Sequence, residues 1–176
     1  LPSPEERIRF LVGFALLAPS SHNSQPWKFK IRKNEILLFA DFKRALPVSD
    51  ANHRQLFISL GCALENLLTA ADYYGYRPDV RLFPEGADGP VARISFTSPV
   101  KEGDRRDSSH AIFTIPRRRS NRNPYTNDMP PPDFLQRIRG YSDSHMQIDV
   151  VEDEKRRDEI VEIVSGAFIA AMDDSA

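Results

Sequence analysis

The chain has 176 residues, 40% hydrophobic and 28% charged, with Lys+Arg 24 against Asp+Glu 25 for a net charge of −1. Those figures exclude wholesale disorder, collagen-like repeats and a membrane protein, and they argue against nucleic acid or anionic membrane as partner of the whole surface, though not against a local basic patch. The single cysteine, Cys62, cannot form an internal disulfide, and no Cys/His cluster could build a zinc site, so no metal is expected and a reducing, cytoplasmic compartment fits.

In chain order, Ser3-Pro4-Glu5-Glu6 reads as a helix start, with Ser3 as N-cap and Glu6 as its reciprocal partner. The chain opens at Leu1 rather than Met, so upstream residues are expected to be missing. The apolar stretch 10–18 follows Arg7 and Arg9 as a signal peptide would, but Glu5 and Glu6 spoil the basic region. A first helix buried nearly all round beyond Arg9 is expected instead, because Phe10, Phe14 and Leu17 fill the side opposite Ile8, Leu11 and Ala15. Residues 20–26 form a polar loop. Two strands follow as a hairpin around Lys33-Asn34: alternating Trp27–Arg32, half exposed, and Ile36–Phe39, better covered.

The longest helix is expected from about Asp50 to Tyr74, with an apolar stripe through Leu56, Leu60, Ala63, Leu67 and Ala71 and a stop at Gly75. Small residues at Gly61, Cys62 and Ala63 would admit another helix closely, and Cys62 reads as packing. Strands Val80–Phe83 and Val91–Phe96 come next, then a polar excursion at Thr97–Ser109 and a short apolar segment Ala111–Ile115. A short helix around Asp133–Arg139, a strand at Met146–Val150 and a final amphipathic helix from about Asp153 to Met172 complete the reading. Helices and strands mix without strict βαβ alternation, so the fold class is α+β.

The chemistry concentrates in two segments. Neither GxGxxG, a P-loop nor a Gly-x-Ser-x-Gly elbow occurs, and no histidine pair has metal-motif spacing. Ala18-Pro19-Ser20-Ser21-His22-Asn23-Ser24-Gln25-Pro26-Trp27 sets hydroxyls and carboxamides beside an apolar wall, although the same residues suit a capped helix end and a turn. Arg117-Arg118-Arg119-Ser120-Asn121-Arg122 is dense in donors suited to phosphate, although most charge runs are solvated surface. Pro116 and Pro124 restrict the backbone on either side, and five prolines fall within residues 116–132.

Together these segments resemble the flavin-binding signatures of the nitroreductase family: APSSxNxQPW at residues 18–27, and RRSxR at Arg118-Arg119-Ser120-Asn121-Arg122. The helix carrying Asn66-Leu67-Leu68-Thr69-Ala70-Ala71 and ending at Gly75-Tyr76 is similar to the family's central helix. The motif order resembles the tandem, Acg-like subgroup, in which the arginine motif opens a second half. The resemblance implies a nitroreductase-like domain, residues 1–110 forming a first-half module and 111–176 the start of a second, with a mixed or antiparallel sheet flanked by helices.

It further implies noncovalent FMN. Arg118, Arg119, Ser120 and Arg122 would hold the phosphate, and Pro19, Ser20, Ser21 and Asn23 would line the ring and ribityl chain. NAD(P)H would be the reductant, and a nitro compound, quinone or similar small molecule the acceptor. No side chain need serve as a general acid, so no catalytic residue is named. The two motifs would serve different sites, or a homodimer or a missing second half would complete one flavin site. Two rival readings are a non-enzymatic protein that binds and sequesters FMN, and a basic-loop anion module without flavin.

Overall fold

The computed structural model describes residues 3–96, 111–126 and 128–173. Two compact units divide the chain, residues 1–121 and 122–176. The first holds helices α1 (Pro4–Ala15), α2 (Arg54–Tyr73) and α3 (Ala111–Thr114) with strands β1 (Trp27–Arg32), β2 (Glu35–Ala40), β3 (Asp79–Leu82) and β4 (Ala92–Ser95). The second holds α4 (Pro132–Arg139) and α5 (Glu154–Asp173). The fold is α+β, as its residues lead one to expect, and every strand pairing is antiparallel in the order β1-β2-β4-β3.

The start of α1 follows from its residues. Glu6 N–H donates to Ser3 Oγ and Ser3 N–H donates to the Glu6 carboxylate, a reciprocal capping box. Ile8, Leu11 and Ala15 enter the core against α2. The expectation of burial all round is corrected here: Phe10 is 53% exposed and Leu17 46%. α2 and β1 pack against α1, and among the described residues the ring contacts of Phe10 are edge-on, with Phe14 at 5.4 Å and Tyr74 at 5.2 Å.

The β1–β2 hairpin turns at Lys33-Asn34, with Arg32 opposite Glu35. Lys33 takes φ 44° there. Burial alternates along β1, while Ile36, Leu37 and Leu38 of β2 are buried. That asymmetry arises because β2 is an inner strand, with β4 on its other edge.

α2 carries the core stripe Leu56, Leu60, Ala63, Leu67 and Ala70–Ala71, all buried. It begins at Arg54 rather than Asp50. Asp50 lies before it and accepts from Gln55 N–H at 3.0 Å and Leu56 N–H at 2.8 Å, so the carboxylate caps the helix from outside it. Of the small residues there, Ala63 lies in the core and Cys62 packs against it, while a Cβ added at Gly61 would meet nothing within 4 Å among the described residues.

The helix ends as a Schellman turn, with Gly75 N–H donating to the Asp72 carbonyl at 3.0 Å and Tyr76 N–H to the Ala71 carbonyl at 2.8 Å. Gly75 holds φ 79°, where a Cβ is strained. Gly75→Ala is therefore expected to destabilise the protein by about 1 kcal/mol, measured by urea unfolding.

In the second unit α4 buries Leu135. The final helix forms as expected, but its apolar positions Ile160, Ile163, Val164 and Phe168 stay exposed. The expected strand at Met146–Val150 is absent among the described residues. Two of its backbone donors are taken locally instead: Met146 N–H by the Asp143 carboxylate, which also accepts from His145 N–H, and Ile148 N–H by Ser142 Oγ. The excursion at Thr97–Ser109 lies outside the described residues.

Candidate functional site

The loop between α1 and β1 is an unusual piece of backbone. Ser20 is extended (φ −149°, ψ 154°) and opens a single 3₁₀ turn, Ser21–Asn23. His22, Asn23 and Gln25 then take φ 50°, 54° and 49°, a left-handed conformation that side-chain-bearing residues adopt at some cost. Three such residues within four positions persist only where the surroundings hold them.

Several hydrogen bonds do so. Gln25 N–H donates to Ser20 Oγ at 3.0 Å, closing the loop on itself. Ser21 Oγ donates to the side-chain carbonyl of Gln55 on α2. Arg44 Nη1 donates to the Ser24 carbonyl at 3.2 Å, and Asp41 N–H to the Pro26 carbonyl at 2.9 Å. Pro19, Ser20 and Ser21 are half-buried and Asn23 is exposed, so this loop offers polar groups between the buried Ala18 and Trp27 that flank it in sequence.

Two buried carboxylates brace the elements around the loop. Lys28 Nζ, donating at 2.8 Å, holds the Asp41 carboxyl below its ordinary range; burial opposes this, and the Lys43 N–H and the charges of Lys28 and Arg44 reinforce it. For Asp50 burial is the largest influence and pushes upward. The N–H groups of Gln55 and Leu56, the nearby His53 and the Arg54 N–H together outweigh it, and the carboxyl ends up lowered.

A group depressed in the folded state stabilises above its unfolded pKa and loses that contribution as pH falls through the folded value. Wild-type stability should therefore decline as pH drops below about 4. Asp50→Asn is expected to be less stable than wild type at neutral pH, with the gap closing in acid. Urea unfolding at stepped pH measures it.

The arginine segment follows α3. Arg118 N–H donates to the Thr114 carbonyl at 2.8 Å, continuing the helical path through the 3₁₀ turn Ile115–Arg117, while Ile112 and Ile115 anchor the segment in the core. A cleft of about 670 Å³ lies there, lined by Asn66, Phe113, Thr114, Ile115, Arg117 and Arg118. Asn66 is itself tied to α1, its Nδ2 donating to the Phe14 carbonyl at 3.3 Å.

The expected phosphate ligands are thus divided. Arg118 lines the cleft, Arg119 and Ser120 are exposed and do not line it, and Arg122 is the first residue of the second unit. Pro19, Ser20, Ser21 and Asn23 do not line it either. The structure adds Arg117 and Asn66, which the motif leaves out, and at the loop it adds Arg44, Asp41 and Gln55. Arg117 already stands in the arginine run and Asn66 in the central helix of the sequence, whereas only proximity in the fold marks Arg44, Asp41 and Gln55. Among the described residues no group of three or more His, Cys, Asp or Glu side chains is placed to hold a metal, and no helix is long and apolar enough to cross a membrane.

No family model matches the chain. Over 121 residues, 69% of this chain and 35% of the relative, it is 31% identical to "Putative NAD(P)H nitroreductase Rv3131" of Mycobacterium tuberculosis. It is 30% identical over 102 residues, 54% of this chain and 28% of the relative, to "Probable NAD(P)H nitroreductase PigM" of a Serratia species. A nitroreductase family protein from Streptococcus pneumoniae TIGR4 superposes with a TM-score of 0.44 at 20% identity, covering 77% of this chain and 89% of that one.

The chain is similar to these proteins named as nitroreductases. A further relative is "Putative NAD(P)H nitroreductase acg" of M. tuberculosis, 30% identical over 156 residues, which are 85% of this chain and 45% of the relative. The chain spans less than half the length of these curated relatives.

Proposed function

We propose that this chain carries the flavin-binding parts of an FMN-dependent oxidoreductase of nitroreductase type, which uses NAD(P)H to reduce nitro compounds, quinones or similar small acceptors. The observation that carries the proposal is the cleft in which Arg117 and Arg118 converge with Asn66, in a chain related to NAD(P)H nitroreductases.

Each of the two segments carries donors that suit one end of the cofactor. Two guanidiniums and a carboxamide beside Phe113 and Ile115 suit a phosphate with an apolar flank. The hydroxyls of Ser20 and Ser21 and the carboxamide of Asn23 suit the edge of a polar ring system. FMN, when bound, would supply the two-electron chemistry that passes hydride equivalents from nicotinamide to acceptor.

The chain's own residues do the rest. Arg117 and Arg118 would neutralise phosphate charge, with Arg119, Ser120 and Arg122 as further ligands. Pro19, Ser20, Ser21 and Asn23 would orient the ring, between the buried Ala18 and Trp27 that bound the loop in sequence. A second copy of the chain, or a second half like its own, would complete the site, and the lone Cys62 suits a cytoplasmic location.

Visible absorbance of the purified protein titrated with FMN tests the reading, followed by anaerobic NADH and NADPH. Bound flavin bleached by either nucleotide supports it. Bound flavin that resists both supports sequestration without catalysis, and absence of binding refutes the flavin assignment.

A further inference from the structure

The left-handed bend at residues 22–25 is held from outside by two side chains that lie outside both motif segments. Gln55, in the first turn of α2, accepts the Ser21 hydroxyl across 34 residues of sequence. Arg44 reaches back 20 residues to donate to the Ser24 carbonyl at 3.2 Å. Arg44 is oriented in turn by Asp41, its Nε lying 3.7 Å from the carboxylate. That carboxylate is buried and also receives Lys28 Nζ at 2.8 Å and Lys43 N–H at 3.3 Å. Because the Asp41 N–H donates to the Pro26 carbonyl, one residue fixes the exit of the loop by its main chain and steers Arg44 by its side chain.

We propose that Arg44, oriented by Asp41, and Gln55 are positioning residues that hold Ser20–Gln25 in the shape that receives the flavin ring, an inference that rests on the flavin reading above. Both residues are exposed and neither belongs to the hydrophobic core. Exposed pairs contribute little to global stability. Acting on a bend of three left-handed residues, however, the same contacts decide how often the loop adopts its binding shape, and ligand affinity falls in proportion to that fraction.

Riboflavin separates ring from phosphate, because it keeps the ring system and ribityl chain and lacks the phosphate. Arg44→Ala and Gln55→Ala are expected to weaken FMN and riboflavin by the same factor, about fivefold, with the melting temperature unchanged. Arg118→Ala should weaken FMN alone. Arg44→Lys, which keeps a donor for Ser24, should recover part of the loss.

A second arm needs no flavin. Amide exchange of Gln25 and Trp27, whose N–H groups donate to Ser20 Oγ and the Gln25 carbonyl, should quicken in Arg44→Ala and Gln55→Ala and stay unchanged in Arg118→Ala. Exchange equal to wild type at both amides, or riboflavin affinity equal to wild type in both variants, would overturn the proposal. A protein that binds neither flavin refutes the functional reading, and the exchange arm still decides whether Arg44 and Gln55 hold the loop.

Discussion

FMN affinity is expected to fall about 10- to 100-fold in Arg118→Ala, with riboflavin affinity unchanged. The magnitude follows from the ligand's charge. A hydrogen bond to an ionised group contributes about 1.5–3 kcal/mol, and a guanidinium facing phosphate makes one or two of them. Arg118 is the motif arginine that lines the cleft, and its backbone is pinned by the bond from its N–H to the Thr114 carbonyl. Arg117→Ala should act in the same direction, because Arg117 lines the same cleft. Arg119→Ala should act less, since Arg119 is exposed and does not line the cleft. The wild-type affinity should fall as salt rises, and less steeply in Arg118→Ala. Flavin fluorescence quenching measures all of these.

Leu67→Ala is expected to cost about 3 kcal/mol of folding stability. Leu67 is fully buried at the middle of α2, and the core around it includes side chains from α1, the sheet and α3. Truncation removes its apolar contacts and leaves a cavity that elements held on several sides cannot close. The urea midpoint should drop with little change in slope. Val48→Ala provides the contrast: Val48 is 84% exposed, and its truncation should stay within about 0.5 kcal/mol.

What could be read from residue order was what local physics decides. The capping box at Ser3 and Glu6, the Gly75 stop and the hairpin at Lys33-Asn34 each depend on a few neighbouring residues, and each forms where the residues lead one to expect. Tertiary context decided the rest. Phe10 and Leu17 are apolar and so read as buried, yet burial depends on whether another element lies over them. Met146, Ile148 and Val150 alternate like a strand, but a strand needs a partner edge, and the side chains of Asp143 and Ser142 take the donors first.

The candidate site divides the same way. Its motif residues stand in two contiguous runs and are visible as such. Asn66 beside Arg118, Gln55 on Ser21 and Arg44 on the Ser24 carbonyl are pairings between distant parts of the chain, and no spacing rule announces them.

The most direct test of the account is FMN titration of the purified protein, followed by visible absorbance and flavin fluorescence. The account predicts saturable binding with quenched fluorescence and a perturbed flavin spectrum, and loss of that binding in the Arg117→Ala/Arg118→Ala double variant. A protein that leaves the spectrum and fluorescence of added FMN unchanged, or a double variant that binds FMN as tightly as wild type, would contradict it.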